Sequence, residues 1–194
     1  MFSVPMSKPH AMIAFALAVV GAPCAAVCPA DPAAPAETLL SLRFAAEAPI
    51  RLDRRALVAL GEQQLTQRRS VGASASASAS ASAPALEQSI AYSGVTLGRV
   101  LAAAAGDDRQ GRDQRSWVFE AVATDGYRAI FSWGELFNID AAEQVLVITA
   151  QDGQPLTAAA GPLALRALTD HRPGPRHVRN LCAIVARPLP PADR

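Results

Sequence analysis

The feature that most constrains the fold is a series of short apolar blocks between Tyr92 and Arg187, separated by glycine and proline turns. The segments WVFEAVAT and YRAIFSW flank Asp125-Gly126, a strong sequence signal for a hairpin of two strands. The runs VLVITA and LCAIVAR are short and continuously apolar, as expected of buried strands. Asp152-Gly153 and Gly161-Pro162 force bends between these two runs. The pattern predicts a mixed α+β fold in which strands dominate.

A few short helices are predicted among these strands. The segment LGRVLAAAA places Leu97, Val100, Leu101 and Ala104 on one helical face. A shorter helix is predicted from Trp133 to Phe137. Earlier in the chain, TLLSLRF predicts a strand, and EQQLTQRR predicts a polar edge strand. Between these two strands, Asp53 is a predicted N-cap of a helix that ends at Gly61.

The length and composition predict one domain preceded by a targeting segment. With 194 residues and 51% hydrophobic residues, the chain can bury one core. Residues 1–30 resemble a signal peptide, because Lys8 precedes an apolar run too short for a stable membrane span. Cleavage after Ala26 or after Ala30 fits the requirement for small residues. Residues 31–38 form a Pro/Ala-rich start, residues 39–187 the domain, and residues 188–194 a tail.

Two alternatives to a cleaved signal peptide are an uncleaved N-terminal anchor and a lipoprotein. The anchor is an alternative because the apolar run meets no charged residue before Asp31. Lipidation is disfavoured because Pro23 precedes Cys24 and Val27 precedes Cys28, where a small residue is expected. The expected location is therefore the periplasm, with no membrane attachment after cleavage.

The charge distribution excludes several functional classes. Removal of Lys8 from the 18 basic residues leaves 17 basic against 17 acidic residues, without a basic block. Nucleic acid is therefore not an expected partner. Every remaining basic residue is an arginine, so the mature chain has no lysine for a Schiff base or a phosphate loop.

A serine-alanine tract at residues 71–85 is predicted to be an inserted loop. Its residues alternate at period two, but neither face offers enough apolar area to hold a strand in a sheet. Cysteine usage says little about disulfides: export permits them, but an odd cysteine left alone after cleavage cannot form an internal one. Cys24 and Cys28 fall near the cleavage site, and Cys182 lies in an apolar run where a small buried core residue is expected.

The segment from Asp170 to Arg179 contains polar side chains that could bind a ligand. His171 and His177 flank two prolines, a spacing that does not favour a metal site. Arg172, Arg176 and Arg179 instead predict a basic rim that could bind an anion in a fork geometry. Asp125 is either an ordinary turn residue or a base.

Taken in order, these blocks resemble the molybdopterin-binding domain of the sulfite oxidase-type oxidoreductases, above all small exported single-domain relatives. The resemblance covers about half of the chain. Its matched positions are Tyr92, Gly94, Val95, Leu97, Val100 and Leu101, then Asp125 and Tyr127, then Asp152, Gly153, Gly161, Pro162 and Leu163, and finally Asp170, Arg176, Arg179 and Leu181 to Val185.

The resemblance implies a strand-rich sulfite oxidase-like fold and a cofactor-binding pocket near Asp125, Tyr127, Asp170, Arg176 and Arg179. In catalytic members of the family, a cysteine upstream of the Gly-Val-x-Leu block ligates molybdenum. Here no cysteine lies between Cys28 and Cys182, and no arginine precedes Arg43 to form a twin-arginine export signal.

These departures predict an exported ligand-binding or interaction module without catalytic or metal-ligating residues. No cofactor is expected, although the resemblance implies molybdopterin. The expected partner is a small anionic ligand or a periplasmic protein. The alternatives are a molybdopterin-dependent oxidoreductase and an accessory subunit of a periplasmic enzyme or membrane sensor.

Overall fold

The computed structural model describes residues 28, 38–45, 47–71, 86–105, 112–172 and 174–190. Within these ranges the chain forms strands, three α-helices and two 3-10 turns. The strands are β1 (Leu40–Phe44), β2 (Ile50–Leu52), β3 (Gln63–Val71), β4 (Leu86–Thr96), β5 (Trp117–Ala123), β6 (Arg128–Ser132), β7 (Val145–Gln151), β8 (Gln154–Pro155), β9 (Ala164–Ala167) and β10 (Leu181–Pro188). The helices are α1 (Arg54–Ala59), α2 (Leu97–Ala105) and α3 (Trp133–Phe137), and the 3-10 turns are Arg112–Ser116 and Asp140–Gln144.

The strands form two sheets. The first sheet has the order β2-β1-β10-β5-β6, and the second has the order β3-β4-β7-β8 with β9 also paired to β7. The pairings are antiparallel except for that of β1 with β10, which is parallel and places Ser41 opposite Ala183. The beginning and the end of the domain therefore lie side by side in the middle of the first sheet.

The main core lies between the two sheets and around α2. Alternation along β1 turns Leu40, Leu42 and Phe44 into this core, and α2 contributes Leu97, Val100 and Leu101, the same face that the sequence predicts. Strand β7 is buried on both faces, because its successive residues belong alternately to two different apolar clusters. This explains why VLVITA is continuously apolar rather than alternating.

Several local predictions are confirmed. The Asp53 carboxylate accepts a hydrogen bond from the Ala56 N–H at 2.7 Å and so caps α1. Strands β5 and β6 form the predicted hairpin, α3 has the predicted bounds, and β3 is an edge strand. The described residues contain no helix that is both long and apolar enough to cross a membrane.

Strand β4 was not predicted. Near its start it carries the polar run Glu87, Gln88 and Ser89. Residues 86–94 pair with β3 in continuous register, from Gln63 opposite Gly94 to Val71 opposite Leu86. Val71, predicted as part of the serine-alanine loop, is the last residue of β3. The rest of that predicted loop lies outside the described residues, as do the predicted signal peptide apart from Cys28, residues 31–37 and the last four residues of the predicted tail.

The expectation that Cys182 is a free core cysteine is wrong. Cys182 is buried, as expected, but it is bonded to Cys28, with the two Cα atoms 5.3 Å apart. The two positions are 154 residues apart in sequence, so nothing local in the sequence indicates the pairing.

Candidate functional site

The turn between β5 and β6 carries Asp125 and Tyr127. Asp125 Oδ1 accepts a hydrogen bond from the Tyr127 N–H at 2.9 Å, and Gly126 adopts φ +87°, which glycine allows without steric cost. The Tyr127 side chain is 43% exposed, and its hydroxyl donates to the Pro175 carbonyl oxygen at 2.7 Å. Tyr127 therefore joins the hairpin turn to the loop that precedes β10.

Arg176 lies in that loop and joins two carboxylates. Its Nε donates to Asp170 Oδ2 at 2.8 Å, and its two terminal nitrogens donate to Asp170 Oδ1 and Glu135 Oε1. The guanidinium carbon lies 5.2 Å from the centre of the Phe131 ring, a cation–π distance. Arg176 thus holds the loop against α3 and the core.

The pKa shifts in this cluster come from burial. Burial raises the pKa of the Asp170 carboxyl, despite the lowering effects of His171 and Arg166. Burial also lowers the pKa of the Arg176 guanidinium. Both groups have lost water, and the hydrogen bonds between them compensate for that loss. The positive charge of Arg176 is therefore paired with carboxylates of the protein itself.

A shallow pocket of about 270 Å³ opens next to the hairpin turn. Its lining residues are Asp125, Tyr127, Gly174, His177 and Arg179. Arg179 is exposed, so its guanidinium is accessible to a ligand. The volume suits a ligand smaller than a typical drug-sized molecule.

The two walls of this pocket are held together by the backbone. The Thr124 N–H donates to the Asn180 carbonyl oxygen at 3.1 Å, directly behind the turn and directly before β10. Asn180 itself has φ +48°, a left-handed conformation that asparagine tolerates. The pocket therefore lies where the end of β5 meets the beginning of β10.

The five residues predicted to bind a cofactor divide into two groups. Asp125, Tyr127 and Arg179 line the pocket. Asp170 and Arg176 form the neighbouring ion pair. The bond from Tyr127 to Pro175 connects the groups, because Pro175 directly precedes Arg176.

Sequence reasoning missed Glu135 and considered His177 only as a metal ligand. The signal for Glu135 is the spacing Ser132-x-x-Glu135, which is typical of the first turn of a helix. Ser132 Oγ accepts the Glu135 N–H at 3.2 Å, and this cap places the Glu135 side chain beside Arg176. Among the residues described, no three His, Cys, Asp or Glu side chains are grouped as a metal site.

The cysteines do not fit a thiolate-ligated molybdenum centre. Cys28 and Cys182 are joined in a disulfide, so neither sulfur is a thiolate. Cys24, the only other cysteine in the sequence, lies outside the described residues. A soft metal that depends on a thiolate has no such ligand in the described part of the chain.

Comparison with protein-family models and with curated proteins gives no match. Among solved structures, the chain is similar to the sulfane dehydrogenase SoxCD from Paracoccus pantotrophus, with a TM-score of 0.52 and 15% identity. The match covers 76% of this chain but 37% of that protein, so the chain spans little more than a third of its length. At this identity the likeness concerns the fold. It confirms the predicted class, a strand-rich α+β fold of the sulfite oxidase-like type with a few short helices.

Proposed function

We propose that this chain is an exported binding or interaction module that keeps a sulfite oxidase-like scaffold without molybdenum oxidoreductase chemistry. The observation that carries the proposal is the disulfide between Cys28 and Cys182. In the catalytic enzymes that the sequence resembles, a cysteine thiolate ligates the metal, and a disulfide sulfur lacks that negative charge. The same scaffold without the ligand can still present a pocket, since fold and activity are separable.

The pocket beside the hairpin turn favours a small anionic ligand. Arg179 supplies a permanent positive charge and a planar fork of donors that match a carboxylate or a sulfate. Arg176, by contrast, is engaged by Asp170 and Glu135. Arg179 is therefore the residue on which anion binding is expected to depend.

The first test is elemental analysis for molybdenum, with a fluorescence assay for released pterin, on mature protein from a periplasmic extract of the native host. We expect neither metal nor pterin, because the described cysteines are bonded to each other. Near-stoichiometric molybdenum and pterin would overturn the proposal, and reduction of an artificial electron acceptor by that protein would establish the alternative, a molybdopterin-dependent oxidoreductase.

The second test is calorimetric titration of the purified protein with sulfate, with chloride titrated as a reference. Replacement of Arg179 by alanine is expected to weaken sulfate binding about tenfold or more, as loss of a charged hydrogen-bonding group does. The matched control is Arg187→Ala, which removes an exposed arginine near the other end of β10 and should leave binding unchanged. Equal sulfate affinities in the wild type and in Arg179→Ala would contradict the assignment.

A second candidate, an accessory subunit of a periplasmic enzyme or membrane sensor, is favoured by the exposure of Ile130. This residue is 55% exposed and lies on β6, an edge strand of the first sheet. An edge strand with an exposed apolar side chain is a surface that a partner can cover. A second chain that co-purifies in equal amount from the native host would support this candidate, and a clean monomer would count against it.

A further inference from the structure

Cys28 and Cys182 attach the N-terminal side of the chain to the centre of the first sheet. Cys182 is the second residue of β10, the middle strand of that sheet, and is 4% exposed. Cys28 is half-buried and packs with Val122 and Cys182. The Cα separation of 5.3 Å lies within the range of natural disulfides. The bond requires that residue 28 is still present in the folded protein.

This requirement distinguishes the two cleavage sites that the sequence leaves open. The chain has three cysteines, two of them in the segment where cleavage is expected. Cleavage after Ala30 would remove Cys24 and Cys28 and leave Cys182 without a partner. Cleavage after Ala26 removes Cys24 alone and leaves the two cysteines that are bonded in the structure.

We infer that the exported chain is cut between Ala26 and Val27, and that the mature protein carries Cys28–Cys182 as a disulfide. The inference rests on the export part of the proposed function, because signal cleavage and disulfide formation both belong to an export route. The site itself is suitable, since Ala26 and Cys24, two positions earlier, are both small residues.

The order of events follows from the positions of the cysteines. Cys182 lies in the last strand, so the bond can close only after nearly the whole domain has crossed the membrane. The two thiols then lose two protons and two electrons as the sulfur–sulfur bond forms. A disulfide-bearing oxidant protein of the export compartment accepts the electrons and becomes a dithiol. Removal of Cys24, four positions from Cys28, leaves one pairing available and prevents a competing bond.

The test is intact-mass analysis of the full-length chain expressed in its native host and recovered from the exported fraction. The protein is alkylated with iodoacetamide before and after reduction. The expected N-terminus is Val27, with no alkylated cysteine before reduction and two after it. Cys24→Ser is the matched control: it keeps a small residue and should give an identical mature protein. Cys28→Ser should expose one reactive thiol, that of Cys182, under denaturing conditions without reductant.

Three results would overturn the inference: an N-terminus at Asp31 with a single thiol, an uncleaved chain with three cysteines, or the added mass of a lipid on Cys24 or Cys28. The sulfate titration of the Arg179 variant tests anion binding in the pocket and does not decide where the chain is cleaved. Failure of anion binding would leave the processing inference standing, whereas failure to find any cleaved, exported form would remove the export part of the proposed function as well.

Discussion

Replacement of Cys28 by serine is expected to lower the free energy of unfolding by about 2–5 kcal/mol. The disulfide joins positions 154 residues apart, so it restricts almost the whole unfolded domain. Loop-closure models place such a long loop near the upper end of that range. For a domain of this size, the expected fall in melting temperature is on the order of 5–15 °C.

The measurement is denaturant unfolding of the mature protein, followed by circular dichroism with and without a reductant. Cys182→Ser and the double variant should match Cys28→Ser, because all three remove the same bond. Reductant should destabilise the wild type and have no effect on the variants. A wild-type midpoint that does not move with reductant would mean that the bond contributes nothing to stability.

Loss of the bond should also affect the pocket. Leu181, next to Cys182, is paired with Ala123 at the end of β5. One position closer to the pocket, the Thr124 N–H donates a hydrogen bond to the Asn180 carbonyl oxygen. The pocket residues Asp125 and Arg179 follow directly on either side. The disulfide therefore lies just behind the junction that sets the distance between the two pocket walls.

The local elements could be predicted from sequence because their signals are local. Asp53 caps α1 through a hydrogen bond that spans three residues, and Asp125-Gly126 encodes a tight turn through its own backbone preferences. The face of α2 that enters the core follows from helical periodicity alone. In each case the physical cause lies in residues that are close together in the sequence.

The long-range features could not be predicted in the same way. Parallel pairing of β1 with β10 and the Cys28–Cys182 bond both join segments from opposite ends of the domain. Strand β4 was missed because the polar run Glu87, Gln88 and Ser89 near its start is held by pairing with β3, not by an apolar pattern of its own. The predicted site divides into two groups for the same reason. Arg176 is bonded to Glu135 of α3, which lies 41 residues earlier in the sequence.

Replacement of Gly94 by alanine is expected to lower the free energy of unfolding by about 3 kcal/mol or more. Gly94 lies within β4, where the register with β7 shifts between Ser93 and Gly94. A Cβ at this position would overlap the carbonyl oxygen of Val147 and lie 2.9 Å from its carbonyl carbon. Since the obstacle is backbone in a strand buried on both faces, it cannot rotate away, and β4 and β7 must separate.

The matched control is Gly134→Ala in α3. A Cβ at Gly134 meets no atom within 4 Å, and its φ is not positive, so alanine should be neutral or should raise stability by up to about 1 kcal/mol. The measurement is the urea midpoint of each variant, compared with that of the wild type under oxidising conditions. This comparison separates the effect of close backbone approach from the effect of replacing a glycine in general. A Gly94→Ala protein with the wild-type urea midpoint would contradict this prediction. It would show that β4 and β7 can move apart at position 94 without loss of stability.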